Sequence, residues 1–173
     1  MASACKFVLV VVAMLVGLIA FVSGDAALIN NVCRKTGDPV YCHKCYNMYS
    51  RSSHEDVKAL GRTSLDCASL ESITVMGLVD KFVVNATDKA VKNSYIDCAL
   101  KLRSGDDQIT GALKSFQNAR YAVASNQILV ALNSARQCST QLQKFRLSPA
   151  LANELRTLQG FCAAANGVLK QIH

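Results

Sequence analysis

Two stretches of apolar periodicity, each carrying one cysteine, constrain the fold of this chain more than any other feature. Between Tyr95 and Cys138 the apolar residues recur at steps of three, four or seven, which places them on one face of each of two helices. The two stripes are Tyr95, Cys98, Leu102, Ile109, Leu113 and Phe116, then Ala124, Ile128, Ala131, Ala135, Cys138 and Leu142. Because each buried face contains a cysteine, the pattern predicts a helix pair joined by a Cys98–Cys138 disulfide.

The rest of the chain predicts further helices and no competing strand. Polar residues 50–53 are suited to cap a long helix, Ser104-Gly105 is a candidate bend, and Ser148 followed by Pro149 is typical of a helix start. Six helices are predicted, over residues 26–34, 40–49, 55–84, 90–118, 121–143 and from 149 onward. The first long helix is expected to bury a face between Leu65 and Val83 that Ile73 and Leu78 widen. The last helix has a stripe of Leu151, Leu155, Leu158, Cys162, Ala165, Leu169 and Ile172. Four long helices of similar length joined by short loops favour an all-α, up-and-down four-helix bundle preceded by a short N-terminal helical hairpin.

The first 24 residues have the features of a cleaved secretory signal peptide. Lys6 precedes an apolar run over residues 7–22, and small residues follow it before Asp25. Sixteen apolar residues are short of the roughly 20 that a membrane-spanning helix needs, so cleavage is favoured over an uncleaved anchor. We therefore expect residues 25–173 to form one secreted domain, with an N-glycosylation sequon at Asn85.

Seven cysteines remain once Cys5 is removed with the signal peptide. An odd number in an oxidising compartment requires a free thiol or an intermolecular bridge. Cys33 and Cys42 flank a Gly-Asp-Pro turn and can close a small hairpin. Cys67 and Cys162 lie in apolar helical surroundings, which favours buried free thiols over functional ones. Cys45–Cys67 is the preferred pairing if a further bridge forms.

Catalytic and metal-binding patterns are weak. The three histidines, His43, His54 and His173, are not near a nucleophile motif, and Asp106-Asp107 is expected to cap a helix or face water. The segment from Cys42 to Cys45 has the spacing of one zinc ligand pair, but a structural site usually needs a second pair. We expect no enzyme active site, no metal and no cofactor.

The charge of the predicted mature chain is positive but dispersed. Without Lys6, 18 basic and 12 acidic side chains give a net charge of +6. Such a surface attracts acidic polymers, for example polyuronates such as acidic pectin. The basic residues are scattered singly without an aromatic platform, which disfavours nucleic-acid binding.

The cysteine framework resembles that of the plant invertase and pectin methylesterase inhibitor family, over residues 26–172. The shared positions are Cys33 and Cys42 with eight residues between them, Asp97-Cys98 and Cys138 forty residues after Cys98, Tyr121 seventeen residues before Cys138, and Gly61 in the first long helix. The resemblance implies a four-helix bundle with bridges Cys33–Cys42 and Cys98–Cys138. It also implies a secreted inhibitor of the apoplast and cell wall that occludes the substrate cleft of a carbohydrate-active enzyme in a one-to-one complex.

Pectin methylesterase is the favoured target, and acid invertase is the alternative. The Pro-Lys-Phe element frequent in invertase inhibitors is replaced by Tyr121-Ala122-Val123. The acidic residues common beside the second cysteine pair of pectin methylesterase inhibitors are also replaced, and of these Asp107 alone remains acidic. We name Asp107, Tyr121, Gln137 and Thr140 as the candidate target interface.

Two further expectations concern partners. Plant pectin methylesterases are often basic, so a positively charged inhibitor would lack long-range attraction to them. A basic pectin-binding wall protein without inhibitory activity is therefore the alternative of another class. After signal cleavage we expect a monomer that binds neither membrane nor nucleic acid.

Overall fold

A computed structural model of the chain describes residues 26–49, 56–145 and 148–173. Within these ranges the chain forms α-helices and no strand: α1 over residues 26–33, α2 Pro39–Met48, α3 Val57–Asn85, α4 Lys89–Gln117, α5 Tyr121–Leu142 and α6 Pro149–Leu169. The predicted all-α class and its helix order are confirmed. The predicted signal peptide, the polar segment 50–53 and His54 lie outside the described residues.

Aspartate side chains determine where three helices begin. Asp38, Asp56 and Asp88 each accept a hydrogen bond from the backbone N–H three residues ahead, at 3.2, 2.7 and 2.9 Å. A carboxylate in this position satisfies a backbone donor that the helix itself leaves unpaired. The cap of α3 is therefore Asp56, and not the serine-rich segment before it. Ser148 and Pro149 occupy the predicted positions at the start of α6, although the Ser148 hydroxyl makes no capping hydrogen bond.

The four long helices form a closed bundle in which each packs against two others. Helix α4 lies between α3 and α5, and α6 contacts the same two helices from the other side, so α3 and α5 occupy opposite corners. The predicted stripes of α5 and α6 are buried throughout. Ile73, expected to widen the buried face of α3, instead lies on its outer surface and is 59% exposed.

The N-terminal hairpin packs onto α6 where two glycines remove side-chain bulk. A Cβ on Gly160 would overlap the ring of Tyr41, and one on Gly167 would lie 2.6 Å from the Cα of Thr36. The Tyr41 ring then meets Phe161 edge-on, with the centroids 5.9 Å apart. Both contacts are specific to the hairpin and α6, so these glycines position the hairpin on the bundle.

Three disulfides connect the described helices. Cys33–Cys42 closes the hairpin, Cys45–Cys67 ties α2 to α3, and Cys98–Cys138 ties α4 to α5. The preferred additional pairing is thus present, and Cys67 is not a free thiol. Cys162 is the free cysteine of the described chain, and complete burial raises the pKa of its thiol to about 12. A thiol that stays protonated is a poor nucleophile.

Candidate protein-binding surface on α4 and α5

Helices α4 and α5 approach closely because small residues line their contact. Gly105 is buried, and a Cβ at this position would lie 3.2 Å from the Cβ of Ser134 and 3.6 Å from the carbonyl oxygen of Ala131. Helix α4 continues without a break through this glycine, where the sequence suggested a bend. The absence of a side chain at Gly105 therefore allows α5 to pack closely against α4.

Covalent and polar links hold the two helices in register. The Cα atoms of Cys98 and Cys138 are 4.6 Å apart across the disulfide. Near that end the Gln141 amide nitrogen donates to Asp97 Oδ2 at 3.0 Å, and near the other end the Ser115 hydroxyl donates to the Gln127 side-chain oxygen at 2.8 Å. Links at both ends prevent sliding of one helix along the other, so the outer surface of the pair is rigid.

The exposed face of α5 changes character along its length. Its N-terminal half exposes three large apolar side chains, Val123, Leu129 and Val130. Its C-terminal half contributes to a shallow depression lined by Asn133, Arg136, Gln137, Thr140, Gln141 and Lys144. No acidic residue occurs between Tyr121 and Leu142. This face offers apolar contact and neutral hydrogen-bonding groups, with positive charge at one end.

The structure places the four candidate interface residues in different settings. Gln137 and Thr140 are exposed on one face of α5 and line the same depression. Asp107 is exposed on the neighbouring helix α4. Tyr121 is the first residue of α5, nineteen residues before Thr140, which corresponds to about 28 Å along the helix axis.

Tyr121 is also half-buried and already has partners. Its ring lies 5.2 Å from that of Phe116, and the Lys58 ammonium lies 5.9 Å from its centroid. These contacts connect the start of α5 to α4 and α3, so Tyr121 closes one end of the bundle. The structure does not bring it together with Gln137 and Thr140.

Sequence reasoning missed several residues of the depression. Asn133 and Arg136 lie four residues before Gln137 and Thr140, and Gln141 and Lys144 lie four residues after them, so all six share a face. That periodicity was available in the sequence.

The structure also locates the predicted glycosylation sequon and two of the histidines. Asn85 is the exposed last residue of α3, and its sequon continues into the short connection to α4. His43 is half-buried on α2, whereas His173 is exposed at the end of the chain. In the part of the chain that the structure describes, no cluster of three or more His, Cys, Asp or Glu side chains is arranged to hold a metal ion. No described helix combines the length and apolarity required to span a membrane.

The fold of this chain is similar to that of solved structures. Two crystal structures of pectin methylesterase inhibitors from Arabidopsis have this fold, each at 19% sequence identity. A mutant form superposes with a TM-score of 0.74 over 84% of this chain and 97% of its own. A second structure, from Arabidopsis thaliana, superposes with a TM-score of 0.67 over 86% of this chain and 98% of its own.

Sequence comparison identifies a relative that is also named as an inhibitor of this kind of enzyme. A pectinesterase inhibitor of Actinidia deliciosa is 25% identical over 122 residues, which cover 70% of this chain and 66% of that protein. The match therefore spans just under two thirds of the relative's length. No protein-family profile matches the chain. The predicted resemblance to the invertase and pectin methylesterase inhibitor family is confirmed by these similarities in sequence and fold.

Proposed function

We propose that this chain is a secreted inhibitor of pectin methylesterase, which it binds through the outer surface of α4 and α5 in a one-to-one complex over the substrate cleft. The similarity to a protein named pectinesterase inhibitor supports the kind of target. The fold shared with two pectin methylesterase inhibitors supports the same choice.

The observation that carries this proposal is the exposed face of α5. Protein interfaces combine an apolar core with hydrogen-bonding groups around it. Here Val123 and Val130 supply apolar area, and the depression containing Gln137 and Thr140 supplies neutral donors and acceptors. This combination suits a protein surface better than it suits a small molecule, because the depression is shallow and open.

Rigidity explains how such a surface can inhibit without a reactive group. Ordering of side chains and loops at an interface costs binding free energy. The Cys98–Cys138 disulfide and the hydrogen bonds at both ends of the pair restrict that motion before binding. To block the substrate cleft, the α4–α5 surface then needs only to be complementary in shape and polarity to the enzyme around that cleft.

A titration tests the proposal directly. Purified chain from residue 25 onward is added in increasing amounts to a panel of plant pectin methylesterases and to an acid invertase, at mildly acidic pH. Loss of methylesterase activity that is complete near one equivalent supports the proposal. Loss of invertase activity alone identifies the alternative target, and no loss of either activity rules out the inhibitor function.

Secretion and glycosylation belong to the same proposal. The sequon asparagine is exposed at a helix end, where an oligosaccharyltransferase can reach it. Expression of the full chain in plant cells should deliver protein to the apoplast that begins at or near Asp25. A glycan at Asn85 would be detected as a mass decrease after treatment with an N-glycosidase.

A further inference from the structure

A second surface feature lies on the side of α5 that faces α6. Three cations from separate elements border one groove: Lys35 from the turn after α1, Arg136 from α5 and Lys170 from the end of α6. The groove has a volume of about 340 Å³, and Leu129 and Leu132 are among its lining residues. Neither an acidic nor an aromatic side chain lines it.

The three positive charges are not neutralised by the described protein. All three residues are exposed. The ion pairs found within the described ranges are Arg62–Asp66 and Arg103–Asp80, and both lie elsewhere on the molecule. Like charges that converge on one groove repel each other, and a bound anion relieves that repulsion.

The groove is held in shape by contacts that do not involve its charges. The Cys33–Cys42 bridge closes the hairpin, and Gly167 allows Thr36 to touch α6. The Thr36 hydroxyl donates to the Cys33 carbonyl at 2.8 Å, which stabilises the turn that carries Lys35. The cations are thus presented by a preformed scaffold, which reduces the entropy lost on binding.

The groove also contains a neutral hydrogen-bond donor beside its three cations. Asn166 lines the groove, and its side-chain oxygen accepts a hydrogen bond from the Ser125 hydroxyl at 2.7 Å. This contact leaves the amide nitrogen of Asn166 as a donor. Arginine and amide groups are well matched to carboxylates and hydroxyls.

We propose that this groove binds the carboxylates of an acidic polysaccharide, a polyuronate such as de-esterified pectin. The two leucines offer contact to the C–H face of a sugar ring, and the three cations that line the groove can pair with its carboxylates. The absence of an aromatic side chain in the groove disfavours single-stranded nucleic acid, whose bases stack on such groups.

The shape of the surface also suits a polymer. Arg136 borders both this groove and the depression on the outer face of α5, which contains a further cation, Lys144. The two concavities are therefore adjacent, and an extended chain can pass from one to the other beside Arg136. Binding of a polyuronate here does not require that the protein inhibit an enzyme.

Two triple variants with equal charge separate a groove from a general charge effect. The groove variant carries Lys35→Gln, Arg136→Gln and Lys170→Gln. The control variant carries Lys81→Gln, Lys92→Gln and Lys114→Gln, three exposed lysines of α3 and α4. Both variants lose three positive charges, so their net charges are equal. Circular dichroism establishes that each variant is folded.

Binding to polygalacturonate, to highly methyl-esterified pectin and to single-stranded DNA is measured by affinity electrophoresis at about 50 mM salt, where screening is modest. We expect the unmodified chain to bind polygalacturonate and not the methyl ester. The groove variant should bind polygalacturonate about tenfold or more weakly, and the control variant within about twofold of the unmodified chain.

Three results would overturn the inference. The first is absence of binding to polygalacturonate by the unmodified chain. The second is an equal loss of affinity in both triple variants, which would assign binding to net charge. The third is equally tight binding of single-stranded DNA with the same loss in the groove variant, which would show a site for any polyanion.

Discussion

At the scale of single residues, Glu71 is the most unusual group of the described chain. It lies on α3 beside Glu154 of α6, and one of its side-chain oxygens is buried without a hydrogen-bond partner among the described residues. Burial is the largest of the causes that raise the pKa of the Glu71 carboxyl to about 8. A side-chain hydrogen bond with Glu154 and charge repulsion from the same residue also raise this pKa, whereas Lys44 lowers it. The Glu71 carboxyl therefore keeps its proton in neutral solution.

This elevated pKa predicts that the protein is more stable in acid than in weak alkali. Between the ordinary carboxyl value of 4.5 and about 8, the folded state retains a proton that the unfolded chain releases. The contribution of Glu71 to stability is then complete below pH 4.5, the pKa in the unfolded chain, and is lost as the pH rises through about 8, the pKa in the folded protein. We expect the free energy of unfolding to fall by about 1–3 kcal/mol from pH 5 to pH 8, after allowance for solvent screening.

Two variants test whether Glu71 and Glu154 cause this pH dependence of stability. Glu71→Gln keeps the hydrogen bond but has no proton to lose, so its unfolding free energy should change less between the two pH values. Glu154→Gln removes the repulsion and not the burial, so it should abolish only part of the dependence. Urea denaturation at both pH values measures each effect. Equal pH dependence in Glu71→Gln and the unmodified chain would contradict the assignment.

At the scale of secondary-structure elements, the three disulfides should contribute unequally. They close segments of 9, 22 and 40 residues for Cys33–Cys42, Cys45–Cys67 and Cys98–Cys138. Restriction of the unfolded chain grows with the logarithm of loop length, which predicts losses of about 2.6, 3.4 and 3.9 kcal/mol on removal of each bridge. Paired Cys→Ala variants followed by urea denaturation give the order.

The outcome of that series discriminates between two mechanisms. An order that follows loop length supports restriction of the unfolded state. A larger loss for Cys33–Cys42 than for Cys98–Cys138 would contradict it and would indicate that the hairpin depends on its bridge for native packing. Peptide mapping of the unmodified chain by mass spectrometry checks the three pairings themselves.

Glycine substitutions test the docking of the hairpin on α6. In Gly167→Ala the new methyl group would overlap the backbone of Thr36, so the hairpin must move and stability should fall by about 1–3 kcal/mol. Gly77→Ala is the control, because a Cβ at this exposed position of α3 meets nothing within 4 Å. It should stabilise the helix by about 0.5–1 kcal/mol. Thermal unfolding of both variants measures the difference, and equal Tm values would exclude close docking.

The elements could be predicted from sequence to the extent that local pattern determines them. The stripes of α5 and α6 follow from the 3.6-residue repeat, and the helix pair follows from one cysteine on each stripe. The cap at Asp56 was missed because several polar residues precede it and pattern alone does not select one. Ile73 was misplaced because periodicity does not show how wide a buried face is.

The candidate sites depend on tertiary structure and were harder to predict. Tyr121 matched a family position, but only the structure shows that Phe116 and Lys58 already contact its ring. The cations of the groove are far apart in sequence, at positions 35, 136 and 170, and Gly167 brings the first beside the last. No local pattern relates such residues, since their proximity is a property of the assembled bundle.

At the scale of the whole molecule, α5 stands between two different surfaces. On one side it forms the rigid pair with α4, whose outer face is the proposed enzyme-binding surface. On the other side it forms the cationic groove with α6 and the hairpin. Helix α3 lies at the opposite corner of the bundle. The molecule is therefore suited to contact a protein and an acidic polymer from adjacent faces of one helix.

This arrangement predicts that inhibition depends on the outer face of α5 and not on that of α3. Gln137→Arg combined with Thr140→Arg places two large charged side chains in the proposed interface, where both native residues are exposed. We expect the inhibition constant for pectin methylesterase to rise by about 30-fold or more, because buried charges without partners weaken an interface by at least about 2 kcal/mol. Thr74→Arg with Gly77→Arg adds the same two charges at the same spacing on exposed positions of α3, and this control should leave inhibition within about twofold.

Stability measurements distinguish a lost contact from a lost fold. The α5 substitutions are on the surface, so the free energy of unfolding should change by no more than about 0.5 kcal/mol. Tyr121→Ala should behave in the opposite way, since its ring packs against Phe116 within the bundle. It should lower stability while the inhibition constant of the folded protein stays near its original value. If Tyr121→Ala weakened inhibition more than the α5 pair did, the binding surface would lie at the other end of the helix.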